Sequence, residues 1–208
     1  MDLSRIKNVF FDLGVVLIDL DKKRCVEEFR RLGVSDIETQ IGQSFKSGLF
    51  FSLEEGSVTP AQFRDEIRRM SGIFIADADI DHAWNLFLRE ICPEKFELLK
   101  RLRRNHRVYM LSNTNQIHFD YMRIHTFKKE NGCSLEDCFD KCYLSHELHL
   151  SKPDPKIFEY VLSDSGASAN ESLFIDDNEQ NVAAAKALGF KTCHYRSLSD
   201  LESLFGAF

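Results

Sequence analysis

The chain reads as an α/β protein. It should form a parallel sheet between two layers of helices, a three-layer core, with an α-helical cap inserted after the first strand. Three observations predict this. A short apolar run, Val9-Phe10-Phe11, stops at Asp12 and Gly14. Residues 21–92 carry helical patterns and no convincing strand. From Pro93 onward, strand and helix patterns alternate, which is how βαβ units and a parallel sheet read. The expected division is a core from residues 1–19 and 93–208 and a cap from 20–92.

The first strand is continuous, β-branched and aromatic, as a strand buried on both faces should be. In the cap, Cys25, Val26, Phe29 and Leu32 share one side of a helix, and Asp36 to Phe45 reads as a second. Thr59-Pro60 starts another, with Thr59 as N-cap and Pro60 in the first helical position. Phe63, Ile67 and Met70 then recur at helical spacing. Asp79 to Ile91 carries a further apolar stripe that includes Trp84, expected to pack between cap helices. Phe50 and Phe51, ahead of Glu54-Glu55-Gly56, read either as a hydrophobic anchor or as a loop over a pocket.

In the second half, Pro93 opens a helix through Leu98, Leu99 and Leu102. Arg107 to Leu111 is a strand ending in Ser112-Asn113-Thr114-Asn115, and a helix follows from about Gln116 to Lys129. Lys141 to Leu144 is a short strand, and Pro155 to Ser163 is a helix. Ser172 to Ile175 is a strand ending in Asp176-Asp177-Asn178. Val182 to Leu188 is a helix closed by Gly189. Lys191 to Tyr195 and Leu198 to Phe205 complete the alternation.

Composition narrows the function. The 208 residues carry a formal charge of −6, which disfavours nucleic acid and anionic membrane as partners. The basic run from Lys100 to Arg107 has the spacing of a solvated helix face. No apolar run reaches the length of a membrane span, and the N-terminus lacks the apolar region of a signal peptide. The six cysteines do not form a disulfide framework. Reduced thiols and a cytoplasmic protein are expected, as a monomer or weak homodimer. Cys133, Cys138 and Cys142, with His146 and His149, lack the spacing of a structural zinc site.

Polar residues gather after three strands: Asp12, then Ser112 and Asn113, then Asp176 and Asp177. Lys152 lies beyond a fourth. Right-handed crossovers bring parallel strand ends to one edge of the sheet, so these segments can meet. Close carboxylates repel, and a divalent cation is the least costly resolution. Hard oxygens without His or Cys favour Mg²⁺. A metal, an ammonium, a hydroxyl and an amide together suit a phosphate group. A carboxylate attacking phosphorus would give an aspartyl-phosphate.

Four segments carry a resemblance: Phe11-Asp12-Leu13-Gly14-Val15-Val16-Leu17, Leu111-Ser112-Asn113-Thr114-Asn115, Lys152-Pro153-Asp154-Pro155, and Phe174-Ile175-Asp176-Asp177-Asn178. In this order and spacing, the chain resembles the haloacid dehalogenase (HAD) superfamily of hydrolases, with a Rossmann-like core. Within it, the chain is similar to bacterial α-D-glucose-1-phosphate phosphatases, which share the Asp-Leu-Gly opening, the Ser-Asn-Thr-Asn run, His118 and a stretch like Glu55-Gly56-Ser57-Val58. The resemblance implies Asp12 as nucleophile and metal ligand. It also implies the Gly14 carbonyl, Asp177 and Asp176 at the metal, Ser112 and Asn113 on phosphoryl oxygens, and Lys152 bridging phosphate and Asp12.

One position departs from that pattern. Most phosphatases of the superfamily carry a second Asp two residues after the nucleophile, as general acid and base. Here it is Gly14, and such catalysis is worth about 10²–10⁴-fold. Three readings follow. The substrate has a good leaving group, as a hexose 1-phosphate does; or another group, His118 or Asp19, replaces the acid; or the chain is a weak catalyst. The expected activity is Mg²⁺-dependent hydrolysis of a small phosphorylated metabolite, preferably a sugar phosphate. The alternatives are a 2-haloacid dehalogenase, which needs no metal, and a phosphate-ligand binding protein with little turnover.

Overall fold

The computed structural model describes residues 3–43, 47–128 and 133–206. Phe45 and Lys129, expected at helix ends, lie outside the described residues. Five strands form one parallel sheet: β1 (Asn8–Phe11), β2 (Arg107–Ser112), β3 (Lys141–Leu144), β4 (Ser172–Asp176) and β5 (Lys191–His194), in the order β3-β2-β1-β4-β5. β1 is central. Phe11 is level with Met110 of β2 and Ile175 of β4, so the three chains run out of the sheet side by side.

The burial of β1 on both faces follows from its alternation. Val9 and Phe11 join a cluster with Val108, Met110, Leu173 and Ile175. Phe10 points the other way, among Tyr109, Leu111, Tyr143 and Phe174. The helices α6 (Pro93–Leu102) and α12 (Leu198–Phe205) cover the first face, with Leu99 and Leu201 in its cluster. The helices α10 (Pro155–Ser165) and α11 (Glu179–Ala187) cover the second, with Phe158 and Ala185. This is the three-layer arrangement expected from the sequence.

Between β1 and β2 lie α1 (Lys22–Arg31), α2 (Ile37–Gln43), α3 (Leu49–Glu54), α4 (Pro60–Ser71) and α5 (Asp77–Asn85). They share a separate cluster in which Phe29, Phe50, Phe63 and Trp84 are buried together. Phe50 meets Phe63 edge-on at 5.2 Å and Trp84 at 4.6 Å. The α4 start has the reciprocal capping box of Thr59 and Gln62, with Pro60 in the first turn. The two chain crossings between this cluster and the sheet pair with each other: Asp21 N–H donates to Phe87 O at 2.7 Å and Arg89 N–H to Asp19 O at 2.9 Å.

Three short helices were not expected: α3, α8 (Leu135–Cys138) and α9 (Ser145–Leu148). The helix after β2, α7 (Gln116–His125), is shorter than expected. Cys133 and Cys138 are joined as a disulfide, with Cα atoms 6.2 Å apart. This corrects the expectation of reduced thiols throughout: the turn of α8 brings the two within the ordinary span of a disulfide. Cys25, Cys92, Cys142 and Cys193 are free. Among the described residues, no helix is long and apolar enough to cross a membrane.

Candidate active site

The ends of β1 and β4 bring three carboxylates together. Asp12 follows β1, held there by its N–H donating to Ile175 O at 2.9 Å. Asp176 ends β4 and Asp177 follows it. One oxygen from each of Asp12, Asp176 and Asp177 lies within 4.8 Å of the others. Burial first, then the charge of Asp176, push the carboxyls of Asp12 and Asp177 above the usual carboxylate range, with Lys152 opposing the shift. Placing like charges at this distance in a buried site is unfavourable without a cation. The donors are hard carboxylate oxygens with no His or Cys among them, which fits Mg²⁺.

Lys152 is the counter-charge. Its side chain is 1% exposed, and its ammonium donates to Asp12 Oδ1 and Asp176 Oδ2, each at 2.7 Å, and to Leu111 O at 2.8 Å. Burial works against its charge, and the two carboxylates outweigh it, raising its pKa. Asn113 fixes the lysine's main chain: its Oδ1 accepts from Lys152 N–H and its Nδ2 donates to Lys152 O, both at 2.9 Å. The Asn113 side chain is therefore largely engaged in holding Lys152. Ser112 sits buried at the end of β2.

Asp176 is fully buried and well satisfied. Besides Lys152, it accepts from Asn178 N–H at 2.8 Å and from Asn181 Nδ2 at 3.0 Å. Asn181 was not singled out from the sequence; its spacing, one turn into the helix after Asp176-Asp177, is the signal that could have found it. Among the described residues, no other residue hydrogen-bonds the Asp177 carboxylate, which is half-buried. Gly14 turns the chain after Asp12, its carbonyl accepting from Val16 N–H at 2.6 Å. The next residue, Val15, is held at φ 61, a conformation that costs a β-branched residue about 1–3 kcal/mol. A Cβ on Gly14 would meet only Leu20 Cδ1, at 3.4 Å. Crowding therefore does not account for the missing side chain there.

The two auxiliary candidates lie outside the carboxylate cluster. His118 is buried, stacked on Trp84 at 4.2 Å, with Nε2 3.0 Å from Trp84 O. Burial lowers its pKa to about 4, so it is neutral near pH 7. Asp19 is exposed and lies 3.9 Å from the Lys95 ammonium. Another carboxyl does respond to the site. Burial, then the charge of Asp12, push Glu54 at the end of α3 up to about 8. The sequence reading gave Glu54 no chemistry of its own.

Two cavities lie elsewhere. One of about 370 Å³ is lined by Arg64, Asp81, Asn85, Gln116 and Asp120. Another of about 810 Å³ lies where the strands begin, beside Arg5, Lys7, Glu171 and Lys191.

Residues 6–189 match the family of haloacid dehalogenase-like hydrolases. The chain belongs to that family. This HAD-like hydrolase is 36% identical over 187 residues to a D-ribitol-5-phosphate phosphatase of Bacteroides thetaiotaomicron, covering 90% of each chain. It also superposes on a HAD family enzyme from Bacteroides thetaiotaomicron in complex with magnesium and inorganic phosphate. There the TM-score is 0.90 at 43% identity, over 96% of this chain and 99% of that one. A predicted HAD-like hydrolase from Porphyromonas gingivalis matches with a TM-score of 0.87 at 36% identity, over 97% and 98%. The HAD-like hydrolase is thus an enzyme, and its acidic cluster has the composition to hold the magnesium found in that relative.

Proposed function

We propose that the protein is a Mg²⁺-dependent phosphatase of small phosphorylated metabolites, with sugar and sugar-alcohol phosphates as its substrate class. The observation that carries this reading is the cluster of Asp12, Asp176 and Asp177, with the ammonium of Lys152 bonded to the first two. Asp12 would be the nucleophile, its oxygen attacking phosphorus to form an aspartyl-phosphate that water then hydrolyses. Lys152 holds Asp12 in place and offsets the negative charge gathered there. Ser112 and the main chain of Asn113 stand at the end of β2 to donate to phosphoryl oxygens. Asp12, Asp176, Asp177 and the Gly14 carbonyl would hold Mg²⁺, which would neutralise the cluster and draw charge from the phosphoryl group. The helices of residues 20–92 would form the cap over the site and keep water from it.

Two leaving groups fall in this class. Gly14 favours the anomeric oxygen of a hexose 1-phosphate, which asks for little protonation. The D-ribitol-5-phosphate relative favours the primary alcohol of an open-chain phosphate. A panel containing both, assayed with Mg²⁺ and with chelator, tests the reading. Phosphate release should need Mg²⁺, and Asp12→Asn should lower it at least about 10³-fold, by analogy with losses of other covalent nucleophiles. Turnover of a 2-haloacid that survives chelation would instead support the dehalogenase alternative. Phosphate binding without turnover would support the binding-protein alternative.

A further inference from the structure

The end of α3 carries a carboxyl with no assigned task, Glu54, and its backbone is fastened to the core. The O of Glu54 lies 2.6 Å from Ser145 Oγ in α9, and the O of Glu55 lies 3.1 Å from His149 Nδ1. Gly56 takes φ +72 against His146 O, in a space where a Cβ would come within 2.2 Å of that oxygen. Ser145 in turn accepts from Thr114 N–H at 2.9 Å, two residues beyond Ser112. Residues 54–56 are thereby tied to the same sheet edge that carries Asp12. Among the described residues the Glu54 carboxyl makes no hydrogen bond or ion pair. It is partly buried and within electrostatic reach of Asp12. A carboxyl in that setting has no structural task that explains it.

We propose that Glu54 is the catalytic acid that Gly14 does not supply, its carboxyl protonating the leaving oxygen as Asp12 attacks phosphorus. The proposal rests on the phosphatase reading. Asp12 Oδ forms the new bond to phosphorus, the bond from phosphorus to the leaving oxygen breaks, and that oxygen takes the Glu54 proton and departs as the alcohol. Water then attacks the aspartyl-phosphate and gives a proton to the Glu54 carboxylate. The bond from phosphorus to Asp12 breaks, and inorganic phosphate leaves with both carboxyls restored. Burial favours the protonated form of Glu54, the form the first step needs. Because the acid sits on the cap, proton transfer and closure of the site are coupled: an undocked cap would leave the leaving oxygen without a donor.

The test compares two substrates by kcat/KM, which reads the steps up to departure of the alcohol. One is a primary alkyl phosphate, D-ribitol 5-phosphate, whose alcohol leaves poorly as an alkoxide. The other is p-nitrophenyl phosphate, whose phenolate leaves without a proton. Glu54→Gln should lower kcat/KM about 10²–10⁴-fold on the alkyl phosphate and less than about tenfold on the aryl phosphate. Glu54→Ala should show the same split, and an unchanged melting temperature in either variant separates lost proton transfer from lost folding. If the wild type cleaves both substrates and a folded variant loses both alike, or neither, the Glu54 assignment is wrong while the phosphatase reading stands. If the wild type cleaves neither of these nor any phosphate monoester of the wider panel, both are wrong.

Discussion

Lys152 has three ammonium hydrogens and three partners, Asp12, Asp176 and the carbonyl of Leu111. Among the described residues, no other side chain bonds both carboxylates. Lys152→Met keeps the chain length and removes the charge, which leaves two buried acids facing each other. Removing one partner of a buried ion pair costs about 3–5 kcal/mol. The urea midpoint should fall accordingly in Mg²⁺-free buffer and recover in part with Mg²⁺, because a cation at the cluster replaces some of the lost countercharge. A midpoint equal to wild type would show that the acids protonate at little cost. Asp12, Asp176, Asp177 and Lys152 could be read from the sequence because each follows an apolar strand or a short motif. Asn181 and Glu54 were not singled out, although the spacing of Asn181 after Asp176-Asp177 carried a usable signal and Glu54 had none. Asn181 acts locally, on Asp176 at the start of its own helix, whereas Glu54 comes within electrostatic reach of Asp12 only through the docking of α3 on α9.

The helix α3 shows how far local patterns reach. At six residues it is too short to display a 3.6-residue period, as are α8 and α9 at four. The longer α4 announces itself through its capping box and spaced apolar residues. What places α3 is a close backbone approach at its end. Gly56 at φ +72 and Gly72 at φ +71 share a left-handed φ, yet nothing lies within 4 Å of a Cβ at Gly72, whereas His146 O blocks one at Gly56. Gly72→Ala should therefore cost only the left-handed conformation, about 1 kcal/mol. Gly56→Ala must also push residues 54–56 off α9. Its loss in urea stability should exceed that of Gly72→Ala by 1 kcal/mol or more, roughly the lower range of overpacking. Hydrogen exchange should quicken at Ser57 and Val58, whose N–H groups both donate to Ser52 O. Equal losses for the two variants would mean that the docking of α3 on α9 contributes little.

The parallel sheet and its two faces follow from alternation along the chain, and the helical cluster follows from its apolar stripes. The fit of one cluster on the other does not, because it depends on single side chains from distant segments. Ile117 of α7 is buried within the helical cluster. Its neighbour His118 packs beside the rings of Trp84 and Phe87, with centroids at 4.2 and 6.0 Å. Its Nε2 donates to Trp84 O, a bond the charged ring could also make, but burial outweighs it and holds the pKa near 4. The unfolded chain has an ordinary histidine at this position, titrating near 6.5. Between about pH 6.5 and 4 the unfolded state therefore binds a proton that the folded state refuses. Stability falls as pH is lowered through this window, by up to about 3 kcal/mol from this residue alone. Glu54 acts in the opposite sense, since its folded pKa is raised, so the total slope mixes contributions. His118→Phe isolates the histidine term: it keeps a ring against Trp84 and loses one hydrogen bond at every pH. Urea unfolding at pH 7 and pH 5 should show a loss on acidification smaller in the variant than in wild type by about 2 kcal/mol. Parallel losses in the two proteins would place the acid sensitivity elsewhere and remove His118 as the titrating contact between the two clusters.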